Sequence, residues 1–337
     1  MTYKIVFTDY DWDSIDIERE LLSEIDCEIV EAQTKDEEDL ILKCADADAL
    51  IVQYAPITNR VIENMKKCKV ISRYGIGIDT ISIDSASKKG IFVCNVSDYC
   101  LDEVADHTLS LILALGRKIV PLVNSVREGR WDAVEVSRPV FNFRSLTLGL
   151  IGFGKIPKNL YSKVKNLFGK VVVYDPFISE DIKSKYNLNL TNFLNLIRTS
   201  DYISIHCPLV EETYHLFSER EFQLMKPTAY IINTSRGSII DTTSLYNALN
   251  TGHISGAALD VLEEEPPGID NVLIKLDNVL ITPHASFYSE SSLEDLQYKT
   301  ALSVLEILKG KRPINVVNKK ILANDKTNID SLKGLEI

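Results

Sequence analysis

At 337 residues the chain is too long for one ordinary core, and its length predicts two domains of roughly 150 residues each. Apolar residues make up 45% and charged residues 25%, a balance that excludes a disordered chain. The formal net charge is −11 with no Lys/Arg run longer than a pair, which argues against a nucleic-acid partner. An acidic protein that handles an anion must create local positive potential, from helix N-termini or a placed arginine.

The first hundred residues alternate short β-branched runs with helical stretches. Strands are expected at Lys4–Thr8, Glu28–Glu31, Ala49–Gln53, Val70–Arg73 and Phe92–Cys94, with helices at Ile17–Glu24, Glu37–Lys43, Asn59–Lys66 and Asp84–Lys89. Such alternation implies a parallel sheet covered on both faces. No glycine-rich loop follows the first strand, where Thr8–Asp13 stands, so this unit is not the nucleotide site. A long helix follows, Asp102–Lys118, with Asp102 as its expected cap and a run, Val104–Leu115, apolar nearly all round and so expected to be buried. The arm Pro121–Phe143 shows little periodicity.

At Leu146 the strand–helix rhythm restarts. Strands are expected at Thr147–Ile151, Lys170–Tyr174, Tyr202–His206, Ala229–Asn233, Ala257–Asp260 and Val279–Thr282, enough for a complete doubly wound unit. A last amphipathic helix, Ser291–Lys309, precedes a polar tail. The N-terminus enters a strand without a signal-like segment, and no stretch has the apolar length of a membrane span. The six cysteines are scattered without a CxxC pair, so they read as reduced, buried thiols of a cytoplasmic protein.

The apolar strand before Gly152-Phe-Gly154 and the helical stretch after it supply the context a dinucleotide fingerprint requires. Gly152 permits the tight turn, Gly154 lets a pyrophosphate approach the backbone, and the amides of Lys155 and Ile156 face the phosphates. Asp175, 21 residues beyond Gly154, stands where a carboxylate accepts hydrogen bonds from ribose hydroxyls and repels a 2′-phosphate, which favours NAD over NADP. Pro157 replaces the third glycine but falls in the first helical turn, where its missing N–H costs nothing.

Three later strands end in Arg236, in Asp260 followed by Glu265, and in His284. Ligands of open α/β sheets bind beyond the carboxyl ends of strands. Reduction of a 2-oxo acid needs a forked cation for carboxylate and carbonyl oxygen, which is arginine's geometry, and a proton donor near neutral pH, which points to histidine. A neighbouring carboxylate orients the imidazole and favours its protonated form. The five histidines show no metal-ligand pattern, so no metal is expected.

The segments Arg73-Tyr-Gly-Ile-Gly-Ile-Asp79, Glu103–His107, Thr147–Lys155, His206-Cys-Pro208, Asn233–Gly237, Ala257–Pro266 and Thr282–Ser289, with Glu265 29 positions beyond Arg236, carry a resemblance over nearly the whole chain to Asn318. The chain resembles the D-isomer-specific 2-hydroxyacid dehydrogenases, above all the branch of the C-terminal-binding proteins and phosphoglycerate-dehydrogenase-like enzymes. The resemblance implies that Arg236 binds the 2-oxo acid, that His284 is the acid/base and that Glu265 pairs with it. It further implies that backbone amides of Gly75, Ile76 and Gly77 hold the substrate carboxylate. Cys207, Pro208 and Thr213 then lie near the adenosine end of NAD, and Thr234, Ser235, Asp260 and Ser286 toward the nicotinamide. The implied architecture is a flavodoxin-like substrate domain, 1–100 with 288–320, and a Rossmann NAD-binding domain, 101–287, with the active site in the cleft between them and 321–337 as tail. The helix and arm around 102–143 correspond to the family's homodimer contact. Phe287 departs from the tryptophan of the C-terminal-binding proteins.

The substrate itself is not named by these motifs. Tyr54, Arg73, Tyr74, Trp131, Arg138 and Phe287 are the residues expected to shape its tail pocket. Formate or phosphite dehydrogenation, and an NAD-sensing corepressor-like scaffold without turnover, are the competing readings; the retained Arg–Glu–His set argues against the scaffold.

Overall fold

The computed structural model describes residues 2–313, 315–319 and 321, so all of the expected tail except Ile321 lies outside the described residues. In chain order the first elements are β1 (Tyr3–Phe7), α1 (Asp16–Leu22), β2 (Cys27–Glu31), α2 (Glu37–Cys44), β3 (Ala49–Val52), α3 (Asn59–Asn64), β4 (Val70–Arg73), α4 (Ile83–Lys88) and β5 (Phe92–Cys94). Next come α5 (Leu101–Gly116), α6 (Ile119–Arg127), α7 (Ala133–Ser137), β6 (Thr147–Ile151), α8 (Lys155–Val164), β7 (Lys170–Tyr174), α9 (Glu180–Tyr186), α10 (Phe193–Thr199) and β8 (Tyr202–Ile205). The chain continues with α11 (Glu219–Leu224), β9 (Tyr230–Asn233), α12 (Thr242–Asn250), β10 (Gly256–Leu259), β11 (Val279–Ile281) and α13 (Glu290–Leu308). Two compact units result: one joins the chain up to Tyr99 with the chain from Glu290 onward, and the other is Cys100–Ser289.

The first unit is a parallel five-stranded sheet in the order β2-β1-β3-β4-β5. One face sends Val6, Leu50, Val52, Ile71 and Val93 into a core with Leu40, Ile62 and Ala86 from α2, α3 and α4. α1 and α13 cover the other face, where Ser72 Oγ donates to Thr300 O at 3.0 Å. That face is polar near the carboxyl ends of the strands. Asp9 accepts the amides of Gln53, Tyr54 and Ala55. Glu18, fully buried, accepts from the Tyr74 hydroxyl and from Gln297 Nε2, and burial pushes its carboxyl above the usual range.

The second unit is a parallel six-stranded sheet, β11-β10-β9-β8-β6-β7. Leu190 forms a single parallel bridge to Val173 on the far side of β7. With that bridge the sheet runs outward in both directions from the β6–β8 junction, the doubly wound arrangement whose switch point receives ligands. Helix starts carry side-chain caps where the sequence supplies them: Asp36 for α2, Thr58 for α3, Ser179 for α9, Asn192 for α10 and Asp241 for α12.

α5 differs from its expectation. Its N-cap is Cys100, in a left-handed conformation without a side-chain cap, and Asp102 stands in the first turn. The Asp102 carboxylate instead accepts from Asn159 Nδ2 and lies 3.4 Å from Lys163 Nζ, both on α8. Asp102, Asp106 and Ser110 form an exposed polar stripe, so the helix is amphipathic rather than apolar all round. The arm after it is also more regular than its sequence suggested, because α6 and α7 occupy most of it. No single helix among the described residues is long and apolar enough to cross a membrane.

Candidate active site

Arg236, Glu265 and His284 stand beyond the carboxyl ends of β9, β10 and β11, three strands adjacent in the sheet. Glu265 and His284 meet: the imidazole Nδ1 lies 2.7 Å from Glu265 Oε2. The other carboxylate oxygen accepts the amide of Leu262 at 2.8 Å, which fixes the carboxylate's plane. An ionised carboxylate only accepts, so Nδ1 of the ring carries a proton. His284 has φ +51°, a conformation costly for a side chain of this size, on the order of 1–3 kcal/mol. Its amide is held by Asp260 O at 2.9 Å and Thr282 O at 3.0 Å.

Asp260, 1% exposed, organises the loop that carries this histidine. Its Oδ1 accepts the Thr282 hydroxyl at 2.5 Å and the Ala285 amide at 2.9 Å, and its Oδ2 accepts the Ser286 amide at 3.0 Å. His107 Nε2, on α5, lies 3.0 Å from Thr282 Oγ1. Thr282 and His107 belong to segments that carry the resemblance, but nothing in the sequence places them in contact.

Arg236 closes β9's end through its carbonyl, which accepts from Asn233 Nδ2 at 2.8 Å, while its Nη1 donates to Ser235 O at 2.7 Å. Gly237 is indispensable here: a Cβ on it would stand 1.9 Å from the Leu262 carbonyl carbon and 2.4 Å from Glu263 N. The Arg236 strand end and the turn carrying Glu265 are therefore pressed backbone to backbone.

The glycine loop after β6 has the shape of a dinucleotide cradle. Gly152 has φ +88°, and a Cβ there would lie 3.0 Å from Cys207 N and from the His206 carbonyl. A Cβ on Gly154 would meet nothing within 4 Å, leaving the loop's outer side open above the N-terminus of α8. Lys155 and Ile156 open that helix and Pro157 is buried in its first turn. Asp175, at the end of β7, accepts the Phe153 amide at 2.8 Å and the Phe177 amide at 2.9 Å. These features fit NAD.

The remaining expected residues divide into two groups. Thr213 spends its hydroxyl on Pro208 O, Thr234 on the Thr108 hydroxyl and Ser235 on Ile205 O, so all three fasten their own loops. Burial pushes the Cys207 thiol up to about 11 and the His206 imidazole down to about 3, leaving both neutral. In the first unit Gly75 has φ +131°, and the Arg73 guanidinium occupies the space its Cβ would need. Ile76 O accepts from Asn95 Nδ2, which fixes the loop through Gly77. Lys35 Nζ lies 5.0 Å above the Tyr54 ring and Arg73 Cζ 6.0 Å. Tyr74 was expected in the tail pocket, but it is buried, with its hydroxyl turned to Glu18. Phe287 lies edge-on to the His284 ring, whereas Trp131 and Arg138 are exposed on the arm.

One other group of side chains that could converge on a cation is His215, Asp241 and Glu263. His215 Nε2 already touches Glu263 Oε1 at 2.6 Å, and the carboxylates hold the amides of Ser244 and Thr242. The group is a brace between the loop after Thr213 and the start of α12.

Residues 109–286 match the family described as D-isomer specific 2-hydroxyacid dehydrogenase, NAD binding domain. The chain belongs to the D-isomer-specific 2-hydroxyacid dehydrogenase family. It is 37% identical to a glyoxylate reductase of Thermococcus litoralis, over 85% of this chain and 88% of the relative. It is 36% identical to a D-3-phosphoglycerate dehydrogenase of Methanocaldococcus jannaschii, over 91% of this chain but only 58% of that longer protein. Among solved structures, D-lactate dehydrogenase from Aquifex aeolicus complexed with NAD and lactic acid superposes with a TM-score of 0.82 at 29% identity, covering 95% of this chain and 98% of that one. The protein is thus an NAD-dependent D-2-hydroxyacid dehydrogenase, related to the phosphoglycerate-dehydrogenase-like enzymes.

The close approach at Gly237 generates a test. Gly237→Ala should lower stability by about 1–3 kcal/mol, the usual cost of overpacking, and reduce turnover of the protein that remains folded. Urea unfolding and steady-state kinetics read the two effects; an unchanged midpoint would show that the two backbones part easily.

Proposed function

We propose that this dehydrogenase reduces a small 2-oxo acid, glyoxylate first among them, to the matching 2-hydroxy acid, of D configuration wherever carbon 2 carries a side chain. The observation that carries the reading is the 2.7 Å His284–Glu265 pair beyond β11 and β10, with Arg236 beyond the adjacent β9. Six of the curated relatives are named glyoxylate reductase, which supports a small side chain on the substrate. In this reading Arg236 grips carboxylate and carbonyl oxygen, and the amides of Gly75, Ile76 and Gly77 hold the carboxylate. NADH, when bound, supplies the hydride to the carbonyl carbon. His284 gives the Nε2 proton to the carbonyl oxygen as its bond order falls, and Glu265 steadies the ring through Nδ1. NADH oxidation with glyoxylate, hydroxypyruvate, pyruvate and 3-phosphohydroxypyruvate tests it; turnover confined to the phosphorylated acid would overturn the small-substrate reading.

Glu265→Gln keeps the shape of the pair and removes its charge, so imidazolium loses support. The alkaline limb of the reduction profile should move to lower pH, and the acidic limb of the reverse reaction should move the same way. A rate lowered equally at every pH would make Glu265 a structural residue.

For the cofactor, Gly152, Gly154, Lys155 and Ile156 are the proposed pyrophosphate contacts and Asp175 the ribose contact. Cys207, Pro208 and Thr213 line the adenosine end, and Thr234, Ser235, Asp260 and Ser286 the nicotinamide end. NADH should be preferred strongly over NADPH, and Asp175→Ala should narrow the ratio of kcat/KM. Wild-type protein using both equally would remove Asp175 from this role.

The exposed apolar side chains of α6 and α7, Val123, Val126 and Val134, together with Trp131 at 91% exposure, are the proposed homodimer contact. Light scattering should give a dimer for the wild type and a monomer for Val126→Asp. Burial pushes the Cys44, Cys68 and Cys94 thiols up to about 12, which suits a reducing cytoplasm.

A further inference from the structure

The proton positions around Asp260 can be assigned from who can donate to whom. The carboxylate accepts two backbone amides, Ala285 and Ser286, and one hydroxyl, Thr282. Thr282 has a single hydroxyl proton, and the 2.5 Å contact to Oδ1 uses it. The 3.0 Å contact between Thr282 Oγ1 and His107 Nε2 must therefore run the other way, with the imidazole donating. At 3.6 Å, Nε2 is too far from Asp260 Oδ1 for a direct hydrogen bond, so the hydroxyl is the link. α5 packs along β9 and β10, which sets His107 in place independently of the loop it touches.

We propose that Thr282 and His107 are positioning residues for proton transfer, acting through Asp260 on the loop that carries His284. The chain of contacts is directional: His107 Nε2–H to Thr282, Thr282 O–H to Asp260, and the Asp260 carboxylate on the amides of Ala285 and Ser286. Those two residues follow His284, whose own amide is held by the carbonyls of Asp260 and Thr282. His284, with its left-handed backbone, is bracketed by Asp260, whose carbonyl accepts its amide and whose carboxylate accepts the next two. Without the hydroxyl, Asp260 loses one of three donors and the loop can rotate, which moves Nε2 relative to the substrate oxygen. A misplacement of about 1 Å costs on the order of 100-fold in rate. This inference rests on His284 being the proton donor.

Thr282→Val removes the hydroxyl at constant shape, and Thr282→Ser keeps it. His107→Leu removes the imidazole donor, and His107→Gln offers an amide N–H in its place. Thr282→Val should lower kcat for 2-oxo acid reduction by roughly 10- to 100-fold while the NADH dissociation constant moves less than about threefold. Thr282→Ser should restore kcat, His107→Leu should lower it and His107→Gln should recover most of it. The double variant Thr282→Val/His107→Leu should be no slower than Thr282→Val alone, because both act through one contact. In the wild-type protein, nitrogen NMR should find the His107 ring protonated at Nε2. The proposal fails if the folded Thr282→Val protein turns over at the wild-type rate, or if His107 carries its proton on Nδ1 alone. Should Thr282→Val not fold, the His107→Leu and His107→Gln pair decides it by the same kcat comparison. His284→Gln, assayed alongside, separates the two levels: turnover retained there overturns the role of His284 itself, whereas loss there with a fully active Thr282→Val overturns only the positioning role.

Discussion

The site depends on one buried carboxylate. Asp260 is withdrawn from solvent at the end of β10, and a charge in that setting is tolerable only when its lone pairs are filled. Two backbone amides and a hydroxyl fill them, and all three come from the segment after β11. The cost of leaving Asp260 unsatisfied therefore becomes the force that shapes the His284 loop. The same logic operates at Asp9 in the first unit, whose carboxylate takes three consecutive amides beyond β3. In both units an aspartate just past a parallel strand captures the backbone of a neighbouring strand's loop, where the sheet's own ladder has run out.

Close backbone approach is the second constraint. Gly237 against Leu262 and Gly152 against His206 and Cys207 bring loops from different strands into direct contact. The Arg236 and Glu265 segments are thereby one packed body rather than two independent loops. A carboxylate–imidazole pair whose members approach to 2.7 Å needs that rigidity, since hydrogen-bond geometry decays over a few tenths of an ångström.

Much of the fold was legible in the sequence. β4, β5, β6 and β7 begin and end where their β-branched runs do, because strands buried on both faces leave continuous apolar signals. The single bridge at Leu190 left no such trace. α6 and α7 escaped notice because both are short and most of their apolar residues are exposed rather than part of a core. Asp102 looked like a cap by residue type, but the helix begins earlier, at a left-handed Cys100 that sequence does not advertise. In the site, the placement of Arg236, Glu265 and His284 beyond three adjacent strand ends was readable from the segments that follow those strands. The connection from His107 to Thr282 was not, since it joins residues 175 apart and neither is unusual in its own segment. Tyr74 was misassigned to the pocket because an aromatic beside a glycine loop looks like a pocket wall, whereas its hydroxyl found the buried Glu18.

The return of α13 to the first unit sets the order in which the protein can be completed during synthesis. β1 to β5 leave the ribosome well before α13, and the face that receives Ser72's bond to Thr300 is covered by α1 alone until α13 is made. At ~5–20 residues per second, the intervening unit takes on the order of ten to forty seconds to emerge. For that interval, Ile5, Phe7 and Ile51, all fully buried in the finished protein, belong to a sheet with only α1 available on that side. The uninterrupted Cys100–Ser289 stretch can close its own core before the unit that begins ahead of it in the chain, so the second unit can be complete before the first.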